Sequence, residues 1–202
     1  MATTHYSKML GDLDVARRIA YKVPPNICNT SIQELKVKSY ILLSHAIIEE
    51  YIENVALDTA KSALHKYVST NQICRALVGL ISSGIIGRID ESGISRKLKR
   101  EPFEDIALFA NVAFGRFKYE VDNNNGIKKE NLLKLLLPIG VDPETEDAAT
   151  MAALDGFGQK RGAIAHAFKI NKSHTLSEIE GDVQTIKIGL ISFDTACQSC
   201  LS

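Results

Sequence analysis

Two residues combine types and spacing that suit chemistry: Arg161 and His166, with four residues between them. They lie in Leu154-Asp-Gly-Phe-Gly-Gln-Lys-Arg-Gly-Ala-Ile-Ala-His-Ala-Phe168, a stretch otherwise built mainly of small and apolar residues. An arginine presents a planar, permanently charged fork to phosphate oxygens, and a histidine takes up or releases a proton near neutral pH. Together they are the minimum set for cleaving a ribose-phosphate backbone, with no metal required.

The stretch must be helical to present them. Leu154, Phe157, Ile164 and Phe168 form a spaced apolar face. Gly158, Gly162 and His166 follow at four-residue intervals, which places them in one row. Each glycine costs a helix interior roughly 1 kcal/mol relative to alanine, so the pair points to close approach by another backbone or a ligand. Arg161 and His166 are roughly 140° apart around the helix and about 7.5 Å along it. One chain therefore presents them poorly to one phosphate. A symmetric homodimer packed on the Gly158/Gly162 row would bring one copy's arginine to the other's histidine.

In this motif, Arg161-Gly-Ala-Ile-Ala-His166, and its helical setting, the sequence resembles the HEPN superfamily, in particular its RiboL-PSP branch of ribonucleases. Two further stretches fit that branch. One is Tyr40-Ile-Leu-Leu-Ser-His-Ala-Ile-Ile-Glu-Glu-Tyr51, an apolar helix carrying acids, and the other is Gly126-Ile-Lys-Lys-Glu-Asn-Leu-Leu-Lys-Leu-Leu136. The resemblance covers most of residues 31–200. It implies an all-α fold and RNA as substrate, with His166 as base and Arg161 on the scissile phosphate. It also implies a homodimeric site and a toxin or antiviral effector restrained by a partner such as an antitoxin or nucleotidyltransferase. Many members carry a polar residue, commonly Asn, directly after the arginine. Here that position is Gly162, which leaves the third polar group of the site unassigned.

Composition agrees with a single compact domain over residues 1–202, with residues 1–30 as an extension carrying a short helix. Hydrophobic residues make up 45% of the chain, enough for a sizeable core. Lys+Arg and Asp+Glu each number 24, so formal charge is zero and any RNA contact should be local rather than along an extended duplex. Cys28, Cys74, Cys197 and Cys200 are too few and scattered for a secreted disulfide framework. Neither a signal segment nor a membrane-length apolar run is visible, so cytoplasm is the expectation, with no membrane contact.

Along the chain, Leu10 to Ala20 reads as a short helix ended by Pro24-Pro25. Ser31-Ile-Gln-Glu34 has the form of a capping box and starts a helix expected to run from Ile32 to about Tyr67 without Pro or Gly. Asn71 is placed as the cap of a following helix, Ile73–Ile81. A glycine-rich connection with partial helix over residues 84–100 leads to a helix opened by Pro102. Lys128–Leu137 is a short helix stopped by Pro138. The motif helix is expected from Asp142-Pro143 to about Phe168, and a last helix carries Leu176 to Phe193. The fold class is all-α, a bundle of six to seven helices around the long second one.

The remaining candidates are secondary. Glu49 or Glu50 would orient Arg161 or His166 if it leaned toward them. Arg96, Lys97, Lys99 and Arg100 put four basic residues among five, a solvated run or a phosphate-binding arm. Cys197 and Cys200 lack companion ligands, so no metal is expected, and no cofactor either. His45 reads as a buried, satisfied histidine. Three functions follow: a metal-independent endoribonuclease, a non-catalytic RNA or nucleotide-binding module, and a helical protein-interaction domain.

Overall fold

The computed structural model describes residues 2–86, 106–166 and 174–202. Eight α-helices and two 3-10 turns, with no strand, make up the described residues: α1 (Thr4–Arg17), α2 (Ser31–Thr70), α3 (Arg75–Ile86), α4 (Ile106–Asp122), α5 (Lys129–Leu136), α6 (Pro143–Glu146), α7 (Ala148–His166) and α8 (Leu176–Ser199). The 3-10 turns are Arg18–Ala20 and Leu137–Ile139. The all-α expectation holds.

All the longer helices pack on α2. Its 40 residues contain neither Pro nor Gly, so nothing interrupts a rod of about 60 Å. It buries Ile41, Ile48, Ile52, Val55, Ala56, Ala60 and Ala63, and it contacts α1, α3, α4, α5, α7 and α8. The cap falls one residue before the expected one, so the helix starts at Ser31 itself. Thr30, extended at φ −140° and ψ 152°, accepts the Gln33 amide on its hydroxyl at 3.2 Å, and Gln33 Oε1 accepts the Asn29 amide at 2.7 Å. Asn71 closes α2 instead of opening α3. It sits in the left-handed region at φ 55°, which asparagine tolerates, and donates its N–H to the Tyr67 carbonyl at 2.8 Å.

The N-terminal extension is a longer helix than expected and is firmly seated. Thr3 caps α1, and its N–H and hydroxyl both donate to the carboxylate of Asp194 on α8, at 2.8 and 2.5 Å. Tyr51 of α2 donates to the same fully buried carboxylate at 3.1 Å, as does Gln198 Nε2 at 3.1 Å.

The motif helix is not continuous from Asp142. Asp142 caps only the four-residue α6, after which Asp147 is extended at φ −159°. Asp147 then restarts the helix by accepting the Thr150 amide at 3.0 Å and the Thr150 hydroxyl at 2.6 Å. Those bonds hold its carboxyl below the usual aspartate range. The break at Asp147 turns one expected helix into two and raises the count to eight.

Candidate functional site

α7 is anchored along one side and open along another. Met151, Leu154 and Phe157 are buried, and Thr150 touches α8 where that helix carries Gly189. A Cβ at Gly189 would lie 1.6 Å from Thr150 Oγ1, so only glycine permits this crossing. Ten residues on, Lys160 reaches Glu178 at 3.1 Å and Asp182 at 2.5 Å on α8. Burial pulls the Lys160 ammonium down, but the two carboxylates outweigh it and hold its pKa above the ordinary lysine value.

The neighbouring cation is different. Arg161 is half-buried, and among the described residues it has no hydrogen bond or ion pair. Lys160 has taken Glu178 and Asp182 of α8, and among the described residues no carboxylate is left to Arg161. A charge left in this state is suited to an anionic ligand. His166 is the last residue of α7, and the helix runs unbroken from Arg161 to it, so the two positions keep the helical offset of about 140°.

The two glycines of the row have separate surroundings. Gly158 is buried within its own chain: a Cβ there would meet Lys128 Cγ at 2.9 Å and Lys128 N at 3.5 Å. Its close approach is therefore made to the turn before α5. At Gly162 a Cβ would meet nothing within 4 Å, so this position is open.

Of the two glutamates on α2, Glu50 is engaged on the α1 side, where Lys8 Nζ lies 2.6 Å from it. Glu49 is the more sheltered one, and its Oε2 lies 3.4 Å from Nδ1 of the buried His45. Neither bonds to Arg161. One turn further, Glu53 accepts from Asn124 Nδ2 at 2.8 Å, and Asn131 donates to Asn124 Oδ1 at 3.0 Å. Burial holds Glu53 above the usual carboxylate range; the Asn124 bond opposes this, and Glu49, Glu50 and Asp122 add to it. Beyond His45, this sheltered polar row was not anticipated from the sequence. The basic run of Arg96, Lys97, Lys99 and Arg100 lies outside the described residues, as does Pro102.

Cys74, Cys197 and Cys200 are buried, and burial pushes the Cys197 thiol up to about 12. No group of three metal-ligating side chains occurs among the described residues, and none of their helices is long and apolar enough to cross a membrane.

The model of the RiboL-PSP-HEPN family matches residues 18–199. The chain belongs to that family. No curated protein and no solved structure matches it. The match begins at Arg18, directly after α1.

Proposed function

We propose that this HEPN protein is an endoribonuclease that needs no metal ion. The observation that carries the reading is the half-buried Arg161, which has no carboxylate partner among the described residues, one residue from a paired Lys160 and on the same unbroken helix as His166. In the reaction, His166 takes the proton of a ribose 2′-hydroxyl, and the freed oxygen attacks the adjacent phosphorus. The bond from phosphorus to the 5′-oxygen breaks, and that oxygen takes a proton from water. The products are a 2′,3′-cyclic phosphate and a 5′-hydroxyl. Arg161 holds the non-bridging oxygens as negative charge builds on them. A cytoplasmic toxin or antiviral effector, held in check by an antitoxin or nucleotidyltransferase partner, is the biological setting of this reading.

Labelled RNA incubated with the purified protein in EDTA tests it. The wild type is expected to cleave. His166→Ala is expected to lose about 10²–10⁴ in rate with unchanged circular dichroism, as for a missing general base. Near wild-type cleavage by His166→Ala would overturn the nuclease reading. The open Gly162, which carries no polar side chain, favours a second reading in which the same pair binds RNA or nucleotide without cutting. Salt-dependent binding with no cleavage by the wild type would select it.

The active form in this proposal is a homodimer. Gly158 is covered by its own chain, so the second copy would approach at Gly162. Gly162→Leu is expected to give monomers without activity, and wild-type specific activity to fall on dilution through the dissociation constant. Sedimentation as a monomer at undiminished activity would exclude the dimer.

A further inference from the structure

The HEPN motif helix of this chain carries Gly162 directly after its arginine, so any further polar group at the site must come from elsewhere in the fold. The turn before α5 supplies one. Gly158, one turn before Gly162, is the place where Lys128 crosses the motif helix: its Cγ lies 2.9 Å from where a Cβ on Gly158 would stand. Any side chain at 158 would displace that stem. Lys128 is itself exposed, so the stem lies on α7 while its charged end is in solvent.

The crossing is held in place on both sides. Lys129 N–H donates to Asp155 Oδ1 of α7 at 3.2 Å, and the other oxygen of Asp155 accepts from Gln159 Nε2 at 2.7 Å. The start of α5 is thus tied to the motif helix at Asp155 and packed on it at Gly158. The two adjacent lysines then differ in their partners. Lys129 forms an ion pair with Glu144, whereas Lys128 has no hydrogen bond or ion pair from its ammonium among the described residues. Among the described residues, two cations without carboxylate partners, Lys128 and Arg161, are therefore set along one stretch of α7. From Gly158 to Arg161 the helix advances about one turn, a step that a phosphodiester and its neighbour can span.

We propose that Lys128 holds the phosphate next to the scissile one, so that RNA runs along α7 from Lys128 at Gly158 to Arg161, on the side of the helix away from Gly162. This rests on the nuclease reading for the identity of the ligand, and it adds a binding residue that the Arg161/His166 spacing does not contain. Lys128 acts as a point charge on a neighbouring phosphate and leaves the chemical step to Arg161 and His166.

The test is binding of a short fluorescent single-stranded RNA in the His166→Ala background, measured by anisotropy over a range of salt, together with steady-state cleavage in the otherwise wild-type protein. Lys128→Gln is expected to weaken binding about tenfold at low salt, the loss of one charged hydrogen bond. The slope of log Kd against log salt is expected to flatten by about 0.7, the value for one phosphate contact on a single strand. KM should rise with kcat unchanged, and Lys128→Arg should restore binding. Lys129→Gln, which removes a charge already paired with Glu144, should leave the slope as it was. An unchanged affinity and slope in Lys128→Gln would overturn the proposal while cleavage by the wild type kept the nuclease reading intact. An equal effect of Lys129→Gln would overturn it as well, since the contribution would then be diffuse charge. Absence of salt-dependent binding by the His166→Ala parent would overturn the proposal, and together with absence of cleavage by the wild type it would remove the nuclease reading as well.

Discussion

The carboxylate of Asp194 and the guanidinium of Arg161 are both withdrawn from solvent to some degree, and they have opposite company. Asp194 is completely buried and receives four hydrogen bonds, from Thr3 N–H, Thr3 Oγ1, Tyr51 and Gln198. Arg161 is half-buried and receives nothing from the described residues. A buried charge with a complete set of partners ties elements together, here α1, α2 and α8. A charge that folding has placed without partners contributes little to stability and keeps its full interaction for a ligand. The row of His45, Glu49 and Glu53 belongs with Asp194, because its polar groups face one another and Asn124 rather than Arg161.

The sharpest way to break the comparison is at Arg161. Arg161→Ala should lower the cleavage rate by about 10²–10³, the loss of one preorganised donor to a developing charge. The melting temperature should stay within about 2 °C, because substitutions of groups without partners are nearly neutral. Arg161→Lys should recover little, since a point charge does not reproduce the fork. A large fall in stability in Arg161→Ala would show that the arginine has structural partners after all and would dissolve the contrast.

Asp194→Ala should do the converse. Tyr51 would keep only the long 3.5 Å bond to the Leu190 carbonyl, and Thr3 would lose both acceptors of its N–H and hydroxyl, at a cost of about 3 kcal/mol. For a chain of this size that corresponds to a drop of about 10 °C in Tm. Cleavage per folded molecule should be unaffected at low temperature. Thermal unfolding followed by circular dichroism, with activity measured on the same samples, checks both halves.

The smallest effect concerns pH. Burial raises the Glu53 carboxyl, so the folded protein binds its proton more tightly than the unfolded chain does. Its contribution to stability is fully present below the unfolded glutamate pKa and is lost as pH rises through the higher folded value. Glu53→Gln keeps an acceptor for Asn124 and removes the titration, so it should flatten the fall in stability across that window. Urea midpoints of the two proteins over a pH series measure it. Identical profiles would mean that Glu53 ionises in the fold as freely as in the unfolded chain.

Much of the scaffold was legible because its signals are local. A segment from Ser31 to Thr70 without Pro or Gly, with apolar residues at helical spacing, can be little other than a long helix, and in α8 the same apolar spacing carries through Gly181 and Gly189. Caps were less legible, since neighbouring residues compete for one role. Thr30 captured the cap expected of Ser31, and Asn71 closed a helix instead of opening one. The break at Asp147 was hidden because the alanines around Thr150 continue the helical pattern, while the Asp147 carboxylate reaching Thr150 interrupts it.

By itself, the sequence determined that the chain is helical, that α2 is its axis, and that Arg161 and His166 share one helix at a separation of about 140°. These follow from backbone periodicity and from breakers placed along the chain. Only the tertiary structure decided that Lys160 would be neutralised by α8 while Arg161 was left without a partner among the described residues, and that Glu50 would turn to Lys8 and Glu49 to His45. It likewise decided that Gly158 would be covered by Lys128 while Gly162 stayed open. Each depends on contacts between residues far apart in the chain or on which side of a helix a neighbour packs, and no local pattern carries that information.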